Sequence, residues 1–109
     1  MGYDLHITRA KEWSQNEGQE ITLEEWLAVV QSDPELTLDP ENGEGFARWS
    51  GPSRYSEPWI GWFQGNLSSK NPDRAILGKM LQLAARFHAK VQGDEGEEYR
   101  SVSDLPADA

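Results

Sequence analysis

Trp59-Ile60-Gly61-Trp62-Phe63-Gln64-Gly65-Asn66-Leu67-Ser68-Ser69-Lys70-Asn71-Pro72-Asp73 is the stretch whose reading decides the fold. Residues 59–64 are the most apolar run in the chain, and residues 67–70 form a second extended run. The Gly65-Asn66 pair between them reads as a two-residue turn, so the segment predicts a β-hairpin. A helix start follows at once. Asn71 is suited to cap, Pro72 to the first helical position and Asp73 to the positive end of the helix dipole. Ile76, Leu77, Met80, Leu83, Ala84 and Phe87 then recur at helical spacing and predict a buried stripe. Arg86, His88 and Lys90 suit the negative pole of that helix.

Outward from this segment the chain repeats the same two devices. Tyr3-Asp4-Leu5-His6-Ile7-Thr8 alternates strictly, which predicts a strand with Tyr3, Leu5 and Ile7 inward and Asp4, His6 and Thr8 on an exposed face. Residues 10–20 are polar and read as a loop that Trp13 pins to the body. Thr22 and Glu25 make a capping box, and Ile21 with Trp26 a hydrophobic staple. Leu23, Trp26, Leu27 and Val30 mark one face of the helix that follows. Pro34 ends it near Gln31 or Ser32, because a residue before proline avoids helical backbone. Residues 35–38 and 45–50 are short strands around turn chemistry at Pro40, Asn42 and Gly43. After Lys90-Val91-Gln92, a turn from Gly93 to Gly96 and Glu97-Glu98-Tyr99-Arg100 predict a terminal hairpin, then a frayed tail over about 103–109. The expected fold is α+β: one domain over residues 1–109, a small mainly antiparallel sheet with two amphipathic helices packed on one face.

The charge is segregated along the chain. The net charge is −9, from 19 acids and 10 bases. Residues 1–47 carry eleven acids against Arg9 and Lys11, residues 48–90 two acids against seven bases, and residues 91–109 six acids against Arg100. An acidic surface attracts cationic partners and repels nucleic acid. The chain holds no cysteine, which excludes disulfides, thiol catalysis and cysteine-based zinc sites and fits a reducing compartment. The opening residues lack the basic and apolar regions of a secretory signal, and no apolar run approaches the roughly 20 residues needed to span a bilayer. The expectation is a cytoplasmic protein with no membrane, nucleic-acid or cofactor partner.

No phosphate loop, dinucleotide fingerprint or nucleophile elbow occurs. Asp4 and His6 share a strand face and are the candidates for an acid–base pair or metal ligands. Two histidines in total leave little for a metal site, so the expectation is neither catalysis nor metal binding there. Asp94, Glu95, Glu97 and Glu98 lack the alternate ligand spacing of a calcium loop and read as a solvated turn first, or more sharply as a surface that meets a basic partner. Trp59 and Trp62, with Trp49 nearby, are the aromatic candidates for a partner surface, since binding hot spots favour tryptophan.

The opening Gly2-Tyr3-Asp4-Leu5-His6-Ile7-Thr8-Arg9, with Ile21-Thr22-Leu23-Glu24-Glu25-Trp26-Leu27 and Asp33-Pro34-Glu35, resembles a family of small uncharacterised bacterial proteins. So does the ending, with Lys70-Asn71-Pro72-Asp73, Lys79-Met80, Ala89-Lys90-Val91-Gln92-Gly93-Asp94, Gly96-Glu97 and Tyr99. The chain is shorter around residues 40–58 than that pattern, and the resemblance carries no functional residues over. By size, acidity and lack of a catalytic signature it is also similar to bacterial immunity proteins, which neutralise a cognate toxin by binding it. That likeness implies a non-catalytic inhibitor that occludes a basic toxin domain. The alternatives are a small enzyme or ligand-binding domain using Asp4 and His6, or a homodimeric structural or regulatory protein.

Overall fold

The structure is a computed structural model that describes residues 3–106. The elements are β1 (Asp4–Thr8), α1 (Leu23–Ser32), β2 (Leu36–Leu38), β3 (Phe46–Trp49), β4 (Trp59–Phe63), β5 (Asn66–Lys70), α2 (Arg74–Arg86), β6 (Lys90–Gln92) and β7 (Glu98–Tyr99). Short 3₁₀ turns lie at Pro40–Asn42 and Val102–Asp104. One antiparallel sheet runs in the order β2-β3-β4-β5-β1-β6-β7. β1 is inserted between β5 and β6, so the first strand joins the last two to the rest of the sheet. The α+β expectation, an antiparallel sheet with two helices, is what the structure shows.

Cross-strand register sorts the side chains onto two faces. Leu5, Ile7, Leu67, Ile60, Ala47, Trp49, Leu36 and Val91 share the face under the helices, and all belong to the core. Trp26, Val29 and Val30 of α1 and Ile76, Leu77, Met80, Leu83 and Ala84 of α2 close over them. Trp26 is 0 % exposed and Phe87 3 %, as their place on each helix stripe predicts. The capping box forms as read: Thr22 accepts from Glu25 N–H and Glu25 reaches back to Thr22 N–H. Asp33, before Pro34, is extended and ends α1.

Four readings need correction. The hairpin turn is Gln64-Gly65, one residue earlier than Gly65-Asn66, because Phe63 pairs with Asn66. Both turn residues have left-handed backbone, φ 50° and 84°, as a two-residue hairpin turn requires. The shift sets Leu67 opposite Trp62 on the covered face, where its side chain is fully buried. Gly65 is also pressed against Glu20, so that a Cβ there would lie 2.6 Å from that side chain. Second, the cap of α2 is Asp73, whose carboxylate accepts from Ile76 N–H. Asn71 instead turns left-handed, and its carboxamide oxygen accepts from Tyr3 N–H. Third, the end of the chain is not frayed from residue 103. Leu105 is buried and its carbonyl accepts two hydrogen bonds from Arg74; the expectation for residues 107–109 lies outside the described residues. Fourth, the face of β1 that carries His6 is not exposed, for a reason that lies in the site itself.

Candidate functional site

His6 stands on the sheet face away from the helices and is 6 % exposed. The loop after β1 doubles back over it, and the Trp13 ring stacks on the imidazole at 3.7 Å between centroids and 5° between planes. Trp13 is fixed from both ends. Its backbone N–H donates to the Gln92 side chain and its indole N–H to the carbonyl of Asp94. Gln92 also donates to the Lys11 carbonyl. Trp13 thus pins the loop as expected, and in doing so buries the residue that the strand pattern placed outside.

The acid partner of His6 is Asp94, not Asp4. Nε2 of His6 lies 2.9 Å from Oδ1 of Asp94, and the other oxygen of Asp94 accepts the backbone N–H of Asp4. Burial pushes the Asp94 carboxyl up, but the hydrogen bonds from His6 and Asp4 outweigh it and leave the group below its ordinary value. Asp94 therefore ties the 93–97 turn to β1. Among the described residues no three His, Asp or Glu side chains are grouped to hold a metal ion. No helix among them is long and apolar enough to cross a membrane.

Folding converts the segregated charge into ion pairs. Arg48 bridges Asp39 and Glu57. Lys79, with its side chain 5 % exposed, sits between Asp33 and Glu35 at 2.6 and 2.7 Å. Its burial opposes the charged ammonium, but the two carboxylates more than restore it and raise its affinity for the proton. Arg9 forks onto Glu25, and Arg100 meets Glu98. The central cations thus consume acids from the first third of the chain. Glu95 and Glu97 stay exposed without a cationic partner among the described residues, as do Glu12, Glu17, Glu20, Glu24, Glu41 and Glu44.

A concavity of about 780 Å³ opens at the end of the sheet between the 93–97 turn and the 53–55 loop. All three tyrosines of the chain line it, Tyr3, Tyr55 and Tyr99, together with Arg54, Asp94, Glu95, Glu97 and the Leu105-Pro106 segment. Tyr3 hydroxyl donates to the Pro72 carbonyl at 3.2 Å and Tyr55 hydroxyl to the Asn71 carbonyl at 2.7 Å, which holds those two rings in place. The 53–55 loop is anchored by Asp73, whose second oxygen accepts from Ser53 hydroxyl and Arg54 N–H. One carboxylate thus starts α2 and fixes a wall of the cleft.

The residues singled out from the sequence fall in three places. Asp94, Glu95 and Glu97 come together at the cleft, whereas Glu98 points to the other face of the sheet and pairs with Arg100. Trp59 lies on the open face, stacked on Phe46 at 5.0 Å with Phe63 beside it; Phe63 is 68 % exposed. Trp62 and Trp49 are on the covered face. Trp62 donates to the Ile21 carbonyl. Trp49 is buried, donates to Glu35 and packs so closely over Gly51 that a Cβ there would lie 1.9 Å from the ring. Trp49 therefore offers no ring to a partner. Sequence reasoning missed the three tyrosines. They are 52 and 44 residues apart, and only the pairing of β1 with β5 and β6 brings them together. No family model, curated protein or solved structure matches the chain.

Proposed function

We propose that the chain is a non-catalytic binding domain for a basic protein, of the immunity type, which neutralises a toxin domain by occluding it. One observation carries this reading. After the internal ion pairs are made, exposed acids remain, and Glu95 and Glu97 among them rim the tyrosine-lined cleft. Unpaired surface charge steers encounter with an oppositely charged partner and costs the fold nothing to expose. Toxin domains that act on nucleic acid are basic for the same electrostatic reason, which makes an acidic antagonist sensible.

An enzyme built on Asp4 and His6 has less support. The Asp4 side chain makes no hydrogen bond to His6, and the imidazole is committed to Asp94 and covered by Trp13. The test of the binding reading is association kinetics with any basic toxin domain that a neighbouring reading frame encodes. Association should slow markedly as salt rises through the range where the screening length falls to about 8–10 Å. Reversal of Glu95, Glu97 and Glu98 to lysine should lower the association rate more than it raises the dissociation rate. Binding indifferent to salt and to the triple reversal would remove the reading.

A further inference from the structure

We propose that the cleft between the 93–97 turn and the 53–55 loop seats an arginine side chain presented by the protein partner. This deepens the binding reading and rests on it, since it names the group that enters and where. Three properties of the cleft select that chemistry.

The first is its walls. Tyr3, Tyr55 and Tyr99 give three aromatic rings around one volume, and a cation over an aromatic face is attracted by the ring quadrupole. The cleft already contains one such contact: the Arg54 guanidinium lies 5.2 Å from the centroid of the Tyr55 ring. The second property is charge. Among the described residues that line it, three are carboxylates, Asp94, Glu95 and Glu97, and one is a cation, Arg54. Burial raises the pKa of the Tyr99 hydroxyl, and its neighbours Glu97, Tyr3, Asp104 and Asp94 raise it further. An anionic ligand would meet these carboxylates unfavourably.

The third property is the pattern of free and committed groups. The hydroxyls of Tyr3 and Tyr55 are spent on backbone carbonyls, so their rings are rigid platforms. The Tyr99 hydroxyl makes no hydrogen bond among the described residues, and Glu95 is exposed with its carboxylate unpaired. A guanidinium is planar, weakly hydrated and fork-shaped, so it can stack on a ring and still donate in pairs to a carboxylate. A lysine ammonium is a strongly hydrated point charge and gains less from the same surfaces. The cleft volume, about 780 Å³, lies within the range of ligand sites and exceeds what one side chain fills, leaving room for the flanking backbone.

The experiment is an NMR titration of the isotope-labelled chain with N-acetyl-arginine amide, with the lysine analogue and with the citrulline analogue, which keeps the shape and loses the charge. Saturable shifts should map to the surroundings of Tyr3, Tyr55, Tyr99 and Glu95 with the arginine probe. They should be weaker by about tenfold with lysine and absent with citrulline. Glu95→Gln, at an exposed position that does not endanger folding, should weaken the arginine probe, and Tyr99→Ala should weaken it further. Equal shifts from citrulline and arginine, or none around the three tyrosines, overturn the proposal. If the toxin domain binds with strong salt dependence while the arginine probe leaves the tyrosines unmoved, the cleft assignment fails and the binding reading stands. If the probe binds the cleft and no basic protein does, the binding reading fails, and the partner assignment fails with it.

Discussion

The two faces of the sheet are cut from the same strands and have opposite fates. Under the helices, the alternate residues Leu5, Ile7, Leu67, Ile60 and Val91 are fully buried and continuous with Trp26 and Met80. On the other face, β1 is roofed by Trp13 over His6, whereas β4 presents Phe63 and the Trp59–Phe46 stack without a roof. The covered face is specified by period, because its buried strand residues are apolar except Ser69, whose hydroxyl donates to the Trp59 carbonyl, and each helix has a matching stripe. The open face is specified by contacts between residues far apart in sequence. The difference teaches where a pattern argument holds: it locates the core and leaves the tyrosine-lined cleft, whose walls come from distant segments, to long-range pairing.

The sharpest way to break the comparison is to cut into the covered face. Phe87→Ala removes a buried ring that packs by Trp26, at 6.4 Å between centroids. The expected loss is about 3–5 kcal/mol, by removal of the ring and by the cavity left behind. Chemical denaturation reads it directly, and an unchanged midpoint would mean that α2 does not close on the sheet.

Next in size is the buried cation Lys79. Lys79→Ala should cost about 2–3 kcal/mol, toward the low end for a broken buried pair because Glu35 remains half exposed and solvated. Lys79→Met should recover part of the loss, since it fills the space, but it leaves Asp33 without its cation. A methionine variant as damaged as the alanine one would show that charge, not packing, is what the site holds.

How much of this was legible in the sequence follows from the reach of each signal. Thr22 and Glu25, Pro34, and the stripes through Trp26 and Phe87 act within one or two helical turns, so they were read correctly. The Gly65 turn was found but misplaced by one residue, because both Gln64-Gly65 and Gly65-Asn66 contain the needed glycine. Only the demand that Leu67 face the core separates them. Asn71 and Asp73 are both good caps, and the carboxylate prevailed because it also anchors Ser53 and Arg54. His6 looked exposed because alternation knows nothing of a loop folding back. The tyrosine cleft had no local signal at all. Of the acidic turn, the charge was legible and its neighbours were not.

Acid should sharpen the contrast between rim and core. The Arg9 hydrogen bond, with Thr22 N–H behind it, holds the Glu25 carboxyl down to about 2 from an ordinary 4.5. A carboxyl lowered in the folded state stabilises above its unfolded value, and that contribution drains away as pH falls from about 4.5 toward 2. Glu25→Gln should therefore lower the thermal midpoint at neutral pH, by a smaller step than the Lys79 change because the site is partly solvated. The gap to the unaltered chain should close as pH drops toward 2. A gap that persists there would place the effect in the neutral capping hydrogen bonds instead of the ion pair.

The smallest expected effect is the most direct test of the open face. Phe63 ends β4 beside the hairpin turn, with 68 % of its surface in water, and shields nothing in the core. Phe63→Ser should therefore shift stability by no more than about 0.5 kcal/mol, as at an ordinary surface position. Trp59 beside it is half-buried against Phe46, so truncating it should cost more than the change at Phe63 and less than the one at Phe87. The ordering Phe87, Trp59, Phe63 is the prediction, measured by denaturant midpoint at one protein concentration and repeated at a tenfold higher one. If Phe63→Ser proves as costly as a core change, and the cost grows with concentration, the open face is covered in solution by a second copy of the chain. The asymmetry between the faces would then describe a protomer and not the working molecule.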